Sequence, residues 1–154
     1  MPRLNRSRLL TGAAVLGLAI QLVPYRVHNP EVRQEPQWDR AETRELARRA
    51  CFDCHSNEVV TPWYGYVAPV AWVVRRHVDE ARGELNFSEW DRPQEEAHEA
   101  AEEVDEGHMP PGYYLPFHAE ARLSDAERTL LVDGLEATLG GEDDDQDDDH
   151  EDHH

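Results

Sequence analysis

The sequence predicts an all-α domain, and three observations carry that reading. Apolar residues recur at helical spacing in several separate stretches, a capping box precedes the last of them, and no alternating strand of useful length occurs. The 154 residues fit one domain. Four parts separate by composition. Residues 1–25 are basic and then apolar; residues 26–37, with Pro30 and Pro36, read as a short polar linker; residues 38–141 mix apolar, aromatic and charged positions; residues 142–154 are almost entirely Asp, Glu and His. Such a tail has too little apolar surface to offset the entropy of ordering and is expected to be disordered.

At the N-terminus, Arg3, Arg6 and Arg8 precede an apolar run from Leu9 to Val23. A basic flank before an apolar segment predicts a signal anchor, with about 17 residues at the short end of what spans a bilayer. No small-x-small cleavage site closes it, so the segment is read as a retained single transmembrane helix. The positive-inside rule then places the rest of the chain on the extracytoplasmic, periplasmic side of the cytoplasmic membrane.

The formal net charge is −18. The tail holds nine acids and no cation, and residues 1–37 hold five Arg against two Glu, which leaves −12 on residues 38–141. Such a domain repels nucleic acid and anionic headgroups, and the expected partner presents a basic docking face.

The chemistry is concentrated in Cys51-Phe52-Asp53-Cys54-His55, which contains both cysteines of the chain. This is C-x-x-C-H, the c-type haem attachment signature. Two thiols three residues apart share one helical turn and can each add to one haem vinyl group, while the next residue offers its imidazole to the iron. A thioredoxin-like redox pair wants a βαβ context, and no strand run precedes Cys51. A structural zinc site needs four ligands, and no second spaced pair stands out. The expectation is one haem c per chain, held by Cys51 and Cys54, with His55 on the iron.

The helices follow in order. Asp39 and Glu42 resemble an acidic capping box, and residues 40–55 read as a helix delivering the motif at its C-terminal end. A second runs from about Val70 to Leu85, with Val70, Val73, Val74, Val78, Ala81 and Leu85 on one side. A third runs from Pro93, suited to a first turn, to about Asp105, with Gly107 past its end. The last begins at the capping box of Ser124 and Glu127, carries Ala126, Leu130, Leu131, Leu135 and Leu139 on its apolar face, and stops at Gly140 and Gly141. The expected fold is thus a cytochrome c-like helical domain wrapped around one covalent haem, preceded by the transmembrane helix.

Met109 lies in Gly107-His108-Met109-Pro110-Pro111-Gly112, a loop stiffened by two prolines. It is the candidate sixth ligand. His108 is the nearest rival, followed by His77, His98 and His118, and an open iron is the remaining option. His/Met ligation raises the reduction potential and leaves no iron site for a substrate, so the expected role is single-electron transfer rather than enzymatic catalysis. The alternative is a haem-based sensor in which the Met109 bond yields to a ligand. A third reading gives His150, His153 and His154 a weak metal-handling role among the tail carboxylates. Trp63, Tyr64, Tyr66, Trp72, Tyr113, Tyr114 and Phe117 are haem-lining or ordinary core residues. Arg75, Arg76 and Arg82 are either propionate partners or solvated surface arginines.

Several separated motifs recur together. These are Cys51 to Glu58, Thr61-Pro62-Trp63-Tyr64, Ala68-Pro69-Val70-Ala71-Trp72, Leu85 to Trp90, Met109-Pro110-Pro111 with Tyr114 and His118, and Leu123 to Glu127. In this the chain resembles the bacterial haem-binding domain family of small membrane-anchored, c-type cytochrome-like proteins, over about residues 40–139 and the N-terminal segment. The resemblance implies covalent haem, iron bound by His55 and one N-terminal membrane segment. It implies no particular physiological reaction.

Overall fold

The computed structural model describes residues 6–140. Six α-helices occur among them: α1 Arg6–Ala19, α2 Ala41–Ala50, α3 Phe52–His55, α4 Val70–Glu84, α5 Ala100–Asp105 and α6 Asp125–Leu139. Short 3-10 turns punctuate the connections, and no strand occurs among the described residues beyond an isolated parallel bridge between Gln34 and Glu89. The all-α expectation holds.

The transmembrane expectation does not. No helix among the described residues is long and apolar enough to cross a membrane. Helix α1 has 14 residues, or about 21 Å at 1.5 Å per residue, against about 30 Å of hydrocarbon. The apolar run does not stay helical to Tyr25. It tightens into a 3-10 turn at Ile20–Leu22, and the Gln21 amide pairs with both backbone groups of Ala68, each at 3.0 Å. The single-pass anchor, and the extracytoplasmic location drawn from it, are corrected accordingly. Arg3 and the acidic tail lie outside the described residues.

The segment from Gln21 to Trp38, expected as a linker over 26–37, lies along the domain. Tyr25 packs under the Arg75 guanidinium. Arg82 donates to the His28 carbonyl at 2.7 Å and to Asn29 Oδ1 at 3.0 Å. The amides of Arg33 and Gln34 both donate to the Ser88 carbonyl, and Trp90 N–H donates to the Gln34 carbonyl. Arg75 also pairs with Asp79, and Arg76 with Glu80. All three arginines considered for propionates therefore have protein partners.

Helices α2 and α6 cross at Gly134, where a Cβ would stand 2.6 Å from Thr43 Cγ2; α5 packs on α6, and α3 on α4. The core gathers Leu46, Ala47, Phe52, Leu85, Phe87, Val104, Leu131, Leu135 and Leu139. Its aromatic centre is a stack of Phe52 on Phe87 and Phe87 on Trp90, with Trp38 5.2 Å from Phe87.

Helix starts differ in an instructive way. The Ser124–Glu127 capping box of α6 forms as expected, with Ser124 N–H donating to Glu127 and Glu127 N–H to Ser124 Oγ. The Asp39–Glu42 box does not, because Arg40 is the N-cap and Asp39 N–H donates to Thr138 Oγ1. The helix expected from Pro93 begins only at Ala97, as a 3-10 turn running into α5. Gln94 is instead spent bracing the preceding loop, accepting from Asn86 N–H and donating to the Glu89 carbonyl.

Candidate functional site

The two thiols and the imidazole sit on one short turn. Helix α2 ends at Ala50, Cys51 leaves helical geometry with φ −120° and ψ −36°, and α3 then carries Phe52 to His55. The break does not loosen the turn, since the amides of Cys54 and His55 both donate to the Cys51 carbonyl. Phe52, 2 % exposed, plugs the turn into the core, which leaves Cys51, Cys54 and His55 half-buried.

His55 is held from the ring side. Its Nδ1 lies 3.1 Å from the Ala81 carbonyl and 3.1 Å from the Leu85 carbonyl. Both partners can only accept, so Nδ1 carries the proton and Nε2 carries the lone pair. Among the described residues Nε2 has no partner. Burial lowers the imidazole's pKa below its ordinary value, with the two carbonyls opposing, which favours the neutral ring. Burial and the neighbouring Cys54 push the Cys51 thiol up to about 12. Burial and Asp53, against Arg82, push Cys54 up to about 11. Both sulfurs thus keep their protons near neutrality.

A buried amide network fixes the turn from behind. Phe87 N–H donates to the His55 carbonyl at 2.9 Å. Asn57 N–H donates to Ser88 Oγ, and Asn86 Nδ2 to Asn57 Oδ1. Arg82 Nε donates to the Ser56 carbonyl at 2.8 Å. Asn57, Asn86 and Ser88 are all nearly inaccessible to solvent, and buried polar groups cost free energy unless paired. Their mutual pairing locks α3 to the loop that follows α4.

On the other side of the turn, Asp53 accepts from Tyr114 Oη at 2.7 Å and from Val60 N–H at 2.9 Å. Burial first, then Asp53, raises the Tyr114 pKa, so the phenol stays a donor. The Tyr114 ring stacks on His118 with centroids 3.6 Å apart and planes 7° apart. His118, 8 % exposed, faces the Tyr114 carbonyl through Nδ1 and the Tyr64 hydroxyl through Nε2.

The other candidates are distributed as follows. Met109 is half-buried and packs against the same core as Cys51, its N–H donating to the Glu103 carbonyl. His108 is turned outward toward Glu103 and Glu106, and His98 toward Glu99. His77 is exposed beside Tyr113. Of the aromatics, Trp63, Tyr66, Tyr113 and Phe117 are exposed, so none of these four is core. The residues that do build the core, Trp38, Phe52, Phe87 and Trp90, lay outside the aromatic set expected to line the site.

The donor set fits a haem: two protonated thiols on one turn, followed by a neutral imidazole whose free nitrogen is set by its ring partners. No group of three or more His, Cys, Asp or Glu side chains able to hold a metal ion occurs among the described residues, so the turn does not resemble a multi-ligand metal site. The family model of a haem-binding domain matches residues 15–137. Searches of curated proteins and of solved structures give no match. With the match extending over most of its length, the chain belongs to the haem-binding domain family, and haem is what it binds.

Proposed function

We propose that the chain is a single-haem c-type protein that transfers electrons one at a time. Cys51 and Cys54 would form the two thioether links, His55 Nε2 would bind the iron, and Met109 would supply its other protein ligand. The observation that carries this reading is the double hold of Ala81 and Leu85 on His55 Nδ1, on the turn that bears both thiols. Ring orientation fixed through the distal nitrogen is how proteins tune a metal-bound imidazole.

Bound haem supplies an iron that changes oxidation state by one electron. This chain's residues do the rest. Cys51 and Cys54 would hold the haem, each thiol adding across one vinyl group with its sulfur on one carbon and its proton on the other, so that no oxidant is needed. Burial favours the neutral His55 ring, and the Ala81 and Leu85 carbonyls select the tautomer whose lone pair is on Nε2. Met109 is the favoured opposite ligand because His108 and His98 face carboxylates at the surface and His118 is engaged at both nitrogens. A soft, neutral thioether favours ferrous iron and raises the potential. The strongly acidic domain suits a redox partner with a basic face.

Acid–organic extraction of the denatured protein tests the reading. Haem should stay with the polypeptide and give a pyridine haemochrome of the two-thioether type. Haem passing into the organic phase would remove the covalent claim.

A further inference from the structure

We propose that Asp53 and Tyr114 form a latch that holds the loop carrying Met109 against the attachment turn, and so sets how firmly the ligand opposite His55 is held. The inference rests on the assignment of Cys51, Cys54, His55 and Met109 given above.

The loop from Gly107 to His118 is tied to α5 at its start, to the attachment turn through Tyr114, and to Tyr64 through His118. Its start is tied to α5, where Met109 N–H donates to the Glu103 carbonyl at 2.9 Å and Arg128 donates to the Val104 carbonyl at 2.7 Å. Its far end is tied to the attachment turn by one side-chain bond, Tyr114 Oη to Asp53 Oδ2 at 2.7 Å. Between them lie Pro110 and Pro111, whose φ angles are fixed by their rings, and Gly112, which is open to solvent. The first tie fixes the height of Met109 on α5, and the second fixes its approach to the haem turn.

The latch is itself braced. Asp53 is oriented by Val60 N–H on its second oxygen. Tyr114 is clamped face to face with His118, and His118 reaches Tyr64 on the segment that follows the turn. A half-buried phenol donating to a carboxylate is a charge-assisted bond, stronger than a neutral one. Asp53 occupies one of the two positions of C-x-x-C-H that the attachment chemistry leaves free. Here that position carries a second task. Asp53 and Tyr114 are positioning residues, since they touch the loop and the turn rather than the iron.

Carbon monoxide binding to the reduced full-length protein reads the latch, because the gas must displace the ligand opposite His55. Tyr114→Phe and Asp53→Ala should each keep covalent haem yet bind carbon monoxide roughly tenfold faster, the scale of one lost charge-assisted hydrogen bond. Both should weaken the sulfur-to-iron charge-transfer band of the oxidised protein. Asp53→Asn keeps one acceptor for Tyr114 but loses the charge and sets its NH2 against Val60 N–H, so its rate should lie between the parent and Asp53→Ala. Should Tyr114→Phe fail to fold, the two Asp53 variants decide, and equal rates in them would overturn the latch. So would a Tyr114→Phe protein with the parent rate and band, or a band that vanishes only in His118→Ala. Haem extracted from the unmutated chain would instead bring down the covalent reading beneath the latch, and the latch with it.

Discussion

Gly134 on α6 faces Thr43 on α2 so closely that a Cβ on the glycine would lie 2.6 Å from Thr43 Cγ2. Thr43 is fully buried, so it has nowhere to turn. In an isolated helix Gly→Ala would gain about 1 kcal/mol. Here the overpacking cost of about 1–3 kcal/mol outweighs it. Gly134→Ala should lower the melting temperature, and Thr43→Ala added to it should restore part of the loss. A Gly134→Ala protein that melts higher than the parent would show that the helices do not meet at this crossing.

Phe52 occupies the first of the two free motif positions and is 2 % exposed, stacked 5.6 Å from Phe87. Phe52→Ala should cost about 3–5 kcal/mol, the usual range for a buried aromatic truncated to alanine. Chemical denaturation measures it. A loss below about 1 kcal/mol would mean that the turn is anchored elsewhere.

Met109→Ala is expected to open the iron and give rapid carbon monoxide binding, whereas His108→Ala should leave the reduced spectrum unmoved by the gas. Met109→His should keep six-coordination and lower the reduction potential, because an imidazole favours ferrous iron less than a thioether does. Redox titration checks the direction. If His108→Ala opens the iron and Met109→Ala does not, the ligand is the imidazole.

Acid should weaken the fold through three carboxylates. Arg49, then the Ser124 backbone and hydroxyl, hold Glu127 down at about 2. Arg44 lowers Glu35 against burial, with help from Trp38, and Asn57 and Arg92 lower Glu89. A folded-state pKa below the unfolded value, about 4.3 for Glu, means stability that is complete above that value. It is lost as pH falls through the folded pKa, which for Glu127 lies near 2. Melting temperatures should therefore fall between about pH 5 and pH 2, and Glu127→Gln should fall less steeply. Parallel acid slopes in parent and variant would contradict the Arg49 pairing.

The helices with strong periodicity, α4 and α6, were legible within about a residue, and the spacing of Cys51, Cys54 and His55 pointed to one short turn, which is where they sit. What stayed hidden depends on distant partners. The Asp39–Glu42 box competed with Thr138, a residue on the last helix. Val70 and Val73 fit an apolar stripe by spacing, yet they are exposed while Ala71 and Val78 are buried. The N-terminal run reads as a continuous apolar segment until Gln21 finds Ala68. Asp53 and Tyr114 carried one available signal, a tyrosine shortly after the Met-Pro-Pro loop, but their pairing spans 61 residues.

The hold on His55 also orders events in time. The motif is complete once residue 55 has been made, yet the carbonyls that turn its ring belong to Ala81 and Leu85, and the amide that caps its own carbonyl belongs to Phe87. The strap from Gln21 to Trp38 waits longer still, for Ser88 and Trp90. During N- to C-terminal synthesis, at about 5–20 residues per second, the thiols are therefore present for seconds before the imidazole is aimed. A chain interrupted before Ala81 would carry the whole C-x-x-C-H motif with neither of the carbonyls that turn the His55 ring.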